Sequence, residues 1–200
     1  EYKTHRKSTK KPPHLSDIVT HMREEYPVKD IPYLEGDDVL GIIHTRNVDS
    51  SVIVSTDKDM ATVPGWHYNP NKDYGNGPRY VDQGYATRWL LTQTLAGDPT
   101  DGYKGARGIG PKKTDLILQD HFRLTKDASG AFKIEGEPEA AWEAVVQAFE
   151  SKGQDRAEAV QNLAMARILT TDLYVKEGAK RSVLLPTNEW GVNTPFTLPE

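Results

Sequence analysis

The 200-residue sequence contains no cysteine. That excludes disulfides, thiolate metal sites and a cysteine nucleophile. No apolar run reaches the length that spans a bilayer, and no secretory leader is visible, so nothing points to a membrane. Six histidines are scattered without a pair at metal-ligand spacing, which argues against a His-based site. No serine–histidine arrangement suggests nucleophilic catalysis, and no Walker phosphate loop occurs. Internal repeats and low-complexity segments are absent. Hydrophobic residues are scarce at 36%, which sets a modest core for one α/β domain or one domain with an appendage. The chain starts at Glu1 rather than at Met, inside a polar basic run, as an internal fragment does.

The formal charge of −4 taken alone argues against a nucleic-acid binder. Its distribution changes that. Lys3, Arg6, Lys7, Lys10 and Lys11 crowd the first twelve residues against the single acid Glu1. Seven acids stand in three clusters: Glu35-Gly36-Asp37-Asp38, Asp57-Lys58-Asp59 and Asp98-Pro99-Thr100-Asp101. Each cluster adjoins an apolar segment that reads as core. Carboxylates brought together in that number require cations.

The chain divides into a basic arm over 1–13, a core portion over 14–81, a helical portion over 82–175 and an irregular tail over 176–200. Ser16 is placed to cap a helix over 17–26 with Ile18, Val19 and Met22 inward. Residues 28–34 suggest a short strand, weakened by Pro32. A helix is expected over 37–45. Val52-Ile53-Val54 has the look of a strand buried on both faces of a parallel sheet. Ligands bind beyond the carboxyl ends of such strands, where Asp57 and Asp59 fall. A hairpin is expected over 64–81 and helices over 83–96, 113–121, 139–151 and 156–171. Residues 123–138 read as a polar surface loop. The four tryptophans fit a core better than a base-stacking platform.

Each acidic cluster alone also reads plainly: helix N-terminal acids at 35–38, a helix cap at Asp57, turn residues at 98–101. Together, each at an element boundary, they suggest ligands for hard cations such as Mg²⁺ or Mn²⁺. Gly105-Ala106-Arg107-Gly108-Ile109-Gly110-Pro111-Lys112-Lys113 follows directly. Its glycines allow close backbone approach to a phosphate, and the next helix offers its N-terminus. A plain glycine-rich interhelical turn is the competing reading.

The order of these motifs resembles the flap endonuclease and 5′-to-3′ exonuclease family, in its bacteriophage form. The motifs are Glu35-Gly36-Asp37-Asp38, Ser55-Thr56-Asp57-Lys58-Asp59, Gly97-Asp98-Pro99-Thr100-Asp101, Gly108-Ile109-Gly110-Pro111-Lys112 and, at the start, Tyr2-Lys3 with Arg6. The resemblance covers about residues 1–121. It implies an α/β fold, a parallel sheet flanked by helices with a PIN-like core and a helix–turn–helix DNA-binding subdomain. It further implies two ions of Mg²⁺ or Mn²⁺, the first held by Glu35, Asp37 and Asp38, the second by Asp57, Asp59, Asp98 and Asp101. Lys3 and Arg6 would reach the scissile phosphate. Gly105, Arg107, Gly108, Ile109, Gly110, Lys112 and Lys113 would clamp duplex DNA, with a K⁺ in the turn. Gly36 stands where the family has alanine. The family also carries an opening strand with an Asp and a further Asp before the arch, and neither is found ahead of Glu1. The expected function is metal-dependent phosphodiester hydrolysis at 5′ ends, nicks or flaps, in the cytoplasm of a bacterium or phage-infected host. An N-terminal segment in cis or in trans would complete it. The alternatives are a non-catalytic DNA-binding fragment and a structural cation-binding domain.

Overall fold

The computed structural model describes residues 10–126 and 132–199. Lys3 and Arg6 lie outside the described residues. The architecture is mixed α/β, with three small sheets around a helical body.

Helix α1 (Leu15–Glu25) forms close to the expected span but buries none of its residues, correcting the inward placing of Ile18, Val19 and Met22. No strand follows at 28–34. Pro32 lacks the N–H a ladder needs, and Tyr33 takes a left-handed φ of 68°, which no strand accommodates. Helix α2 (Gly36–Arg46) starts on Glu35 and buries Val39 and Ile42.

Strand β1 is only Ile53–Val54. It pairs in parallel with β2 (Gly65–Tyr68), Ile53 opposite His67, and β2 pairs antiparallel with β3 (Arg79–Val81). Ile53 is buried but Val54 is 61% exposed, so the strand is covered on one face, not on both. The outer face carries Val52, Val54, Trp66 and Tyr80, with the Trp66 and Tyr80 rings in edge contact at 5.3 Å.

Helix α3 (Gln83–Ala96) is the spine of the molecule. Its cap Asp82 accepts from Tyr85 N at 2.8 Å and from Ile134 N at 3.1 Å. The second bond ties down a hairpin where a surface loop was expected: β4 (Phe122–Lys126) and β5 (Phe132–Gly136). The main core gathers Leu91 and Leu95 of α3, Leu118 of α4 (Pro111–Leu118), Trp142 and Phe149 of α5 (Pro138–Glu150) and Leu163 of α6 (Arg156–Ala166). Proline opens α4 and α5, where a missing N–H is harmless. A reciprocal capping box of Asp155 and Glu158 opens α6.

Helix α6 stops at Ala166, five residues short of expectation, because Arg167 is extended and Leu169 N donates instead to Asp38 Oδ1 at 3.0 Å. The expected irregular tail is instead an antiparallel sheet: β6 (Tyr174–Glu177), β7 (Lys180–Pro186) and β8 (Asn193–Thr197). Its prolines sit where a ladder tolerates them, Pro186 at the end of β7 and Pro195 in the edge strand β8. Ile42 of α2 packs against Leu169, Leu173, Val183 and Leu198, so this sheet supports the helix that carries the first acidic cluster.

Candidate functional site

Each acidic cluster is presented by a different local device. Glu35 takes an extended backbone as the N-cap of α2, and Asp37 and Asp38 fill its first turn, where the helix dipole favours anions. Asp38 is further fixed by the Leu169 amide. Asp59 opens a 3₁₀ turn (Asp59–Thr62) just past β1. Asp57 precedes it and accepts from Asp59 N at 2.9 Å.

Asp98 sits in the tight loop after α3, and two glycines make that loop possible. Gly97 and Gly105 have φ of 71° and 63°, and a Cβ on Gly105 would lie 2.4 Å from Gly97 N. Asp98 N donates to Tyr103 O at 2.9 Å and Ala106 N to Leu95 O at 2.8 Å, which closes the loop and aims Asp98 and Asp101 together.

Carboxylate oxygens of Asp59, Asp98 and Asp101 lie within 4.8 Å of one another. Glu35, Asp37, Asp38, Asp59 and Asp101 line one cavity of about 220 Å³, with Arg167 on its wall. Six of the seven expected metal ligands thus converge from three clusters. Asp57 does not join them. Its carboxylate folds back on the Asp59 amide, and it lines a separate cavity of about 130 Å³ beside Lys72, Arg79, Tyr85 and Trp89.

Asp98 is 4% exposed, and a buried charge needs a partner. Lys58 supplies it. Its Nζ donates to Asp98 Oδ2 at 2.5 Å and to Gln93 Oε1 at 3.2 Å, and stands 3.3 Å from Asp59 Oδ1. Burial alone would push Asp98 up, but the hydrogen bonds from Lys58 and from Thr100 hold it below its ordinary value. Burial likewise works against the Lys58 charge, and Asp98 and Asp59 outweigh it, holding the ammonium above its ordinary range. Gln93 Nε2 donates to Asp59 Oδ1 at 2.7 Å. A lysine ammonium resting among carboxylates shows that the pocket is built for positive charge. Its all-oxygen donor set suits a hard divalent cation.

Neither Lys58 nor Gln93 is a defining residue of a sequence motif. Lys58 read as a spacer between two acids. Gln93 carried a usable signal, since it interrupts the apolar residues Leu90, Leu91 and Leu95, and the structure buries it.

The glycine-rich turn is held from behind by two further residues that were not singled out. Gly105 N donates to Asn162 Oδ1 at 2.9 Å and Arg107 N to Gln154 Oε1 at 2.7 Å. Those two amides therefore serve the fold rather than a phosphate. Gly105 and Ile109 are buried, while Arg107, Gly108, Gly110, Lys112 and Lys113 are exposed. Lys113 Nζ donates to Gly108 O at 2.9 Å, so a cation already stands on one carbonyl of the turn expected to hold K⁺.

The chain is similar in sequence to phage exonucleases and shares its fold with a phage flap endonuclease. It is 30% identical over 197 residues to the exonuclease of Escherichia phage T7 and 31% identical over 199 residues to the exodeoxyribonuclease of Enterobacteria phage T3. Each match covers 86% of this chain, and the chain spans 63% of the length of both relatives. A flap endonuclease of bacteriophage T5, solved with DNA and metal ions, shares the fold with a TM-score of 0.53 at 15% identity, over 83% of this chain and 66% of that one. No protein-family model matches the chain. No helix among the described residues is long and apolar enough to cross a membrane.

Proposed function

We propose that this chain carries the larger part of a divalent-metal-dependent 5′ nuclease that hydrolyses phosphodiester bonds of DNA at 5′ ends, nicks or flaps. The observation that carries this reading is the convergence of Asp59, Asp98 and Asp101 opposite Glu35, Asp37 and Asp38 around one cavity. In this reading the first group holds one ion and the second group another. Two such ions supply an activated water and stabilise the leaving oxygen of a phosphodiester. Gln93 and the Thr100 amide orient the carboxylates of Asp59 and Asp98. Asp57 supports Asp59 through its backbone and is not a ligand itself. Lys3 and Arg6 are assigned to the scissile phosphate on the motif alone.

Lys112 and Lys113, exposed in the first turn of α4, neutralise duplex phosphates next to the turn. This binding is independent of base sequence, because phosphate contacts position without specifying. A K⁺ in the turn belongs to the same reading and would displace Lys113 from Gly108.

Among the described residues nothing covers the outer face of β1 and β2, which supports a further segment, in cis or in trans, that completes the sheet and the first ion site. Parallel strand pairs are ordinarily covered on both faces, and β1 lies at the sheet edge. Without that segment the chain binds DNA through α4 and cuts little. The setting consistent with the relatives is the cytoplasm of a phage-infected bacterium.

Asp59→Asn with Asp98→Asn tests the metal reading. It should abolish Mg²⁺-dependent cleavage by the completed protein while leaving duplex affinity within about twofold, since phosphate contacts carry most of that affinity. Unchanged cleavage in the double variant would sink it.

A further inference from the structure

We propose that Lys58 is a tethered cation that occupies the second ion's position until a divalent ion displaces it. The inference rests on the metal reading above and adds a residue that competes with the ion. Three observations carry it. The Lys58 ammonium touches two of the three carboxylates that would hold that ion, Asp98 at 2.5 Å and Asp59 at 3.3 Å. An ion binding Asp59, Asp98 and Asp101 draws on the same carboxylates. Second, the root of Lys58 is fixed while its side chain has a way out. Trp89 Nε1 donates to Lys58 O at 3.1 Å, and the side chain is 56% exposed. Third, Lys58 also lines the neighbouring cavity into which Asp57 opens, so an acidic partner waits on the exit side.

The arrangement solves a physical problem. Asp98 is buried and would carry an uncompensated charge before any ion arrived. Lys58 removes that cost and keeps Asp98 aimed, with Gln93 accepting from Lys58 and donating to Asp59. The consequence is that the second ion binds against competition and more weakly than the carboxylates alone would allow.

Mn²⁺ titration of the full chain, followed by electron paramagnetic resonance and calorimetry, tests this without a nuclease assay. Lys58→Met should tighten Mn²⁺ binding at the site that Asp98→Asn removes by roughly tenfold to a hundredfold, the range set by a charge-assisted hydrogen bond. Without metal the variant should melt below wild type, and saturating Mn²⁺ should close most of that gap. Equal or weaker Mn²⁺ binding by Lys58→Met overturns the proposal and makes Lys58 a fixed strut. If wild type binds no Mn²⁺ at all, the metal reading itself fails and takes the proposal with it. Should Lys58→Met not fold, ¹³C-methylated lysines in wild type give the same answer, with the Lys58 signal assigned through Lys58→Arg. Mg²⁺ should move that signal to the position of a solvent-exposed lysine. An unmoved signal in a chain that binds Mg²⁺ overturns the proposal.

Discussion

At the scale of single residues, the buried histidine pair sets a pH dependence for the fold. His44 and His67 lie between α2 and β2, with ring centroids 5.9 Å apart. Burial pushes both below their ordinary value; for His67 the hydrogen bond to Val63 O works the other way, while the nearby His44 and Arg79 add to the lowering. Both are therefore neutral in the fold under conditions where the unfolded chain, titrating near about 6.5, takes up protons. The stability they contribute is complete above that value and is lost as pH falls through it toward the lower folded values. Melting temperature should drop between about pH 7.5 and pH 5, and His44→Asn with His67→Asn should flatten that slope. A slope identical in wild type and variant would remove the pair from the account. Gly105 makes a second residue-scale case. Gly105→Ala places a Cβ 2.4 Å from Gly97 N at a left-handed φ, so it should destabilise the chain by about 2 kcal/mol or more, measured by urea unfolding.

At the scale of elements, α4 and its turn give the DNA-facing prediction. Lys112→Glu with Lys113→Glu should weaken duplex binding regardless of base sequence. The slope of log affinity against log salt should shrink by roughly one unit per lost contact. A loss that depends on base sequence, with an unchanged salt slope, would point to base reading instead. Elements also show what was legible in the sequence. The acids after β1 and at the start of α2 could be placed because local rules decide them: a β-branched run ends, or a helix begins. The hairpin of β4 and β5 could not be, because its anchor is the side chain of Asp82, 52 residues away from Ile134. The C-terminal strands were hidden by Pro186 and Pro195, which local rules read as breakers although an edge strand and a strand end accept them.

At the scale of the whole molecule, the site is an agreement among distant parts. The first cluster rides on α2, which packs against the C-terminal sheet. The second follows β1. The third hangs from α3 through the paired glycines. Asp38 accepts from Leu169, 131 residues away, so the stretch after α6 closes one wall of the cavity. The motif order announced the ligands, but convergence depends on tertiary contacts such as this one. Lys58 was illegible for the same reason, since its role exists only once Asp98 is brought back to it.

The central claim is that these gathered carboxylates make a metal-dependent 5′ nuclease. The most direct measurement is cleavage of a 5′-labelled flap duplex by the chain supplied with the proposed sheet-completing segment. The account predicts cutting near the junction in Mg²⁺, none in EDTA, and none by Asp59→Asn with Asp98→Asn in either. Cutting that survives EDTA, or that proceeds unchanged in the double variant, would contradict it.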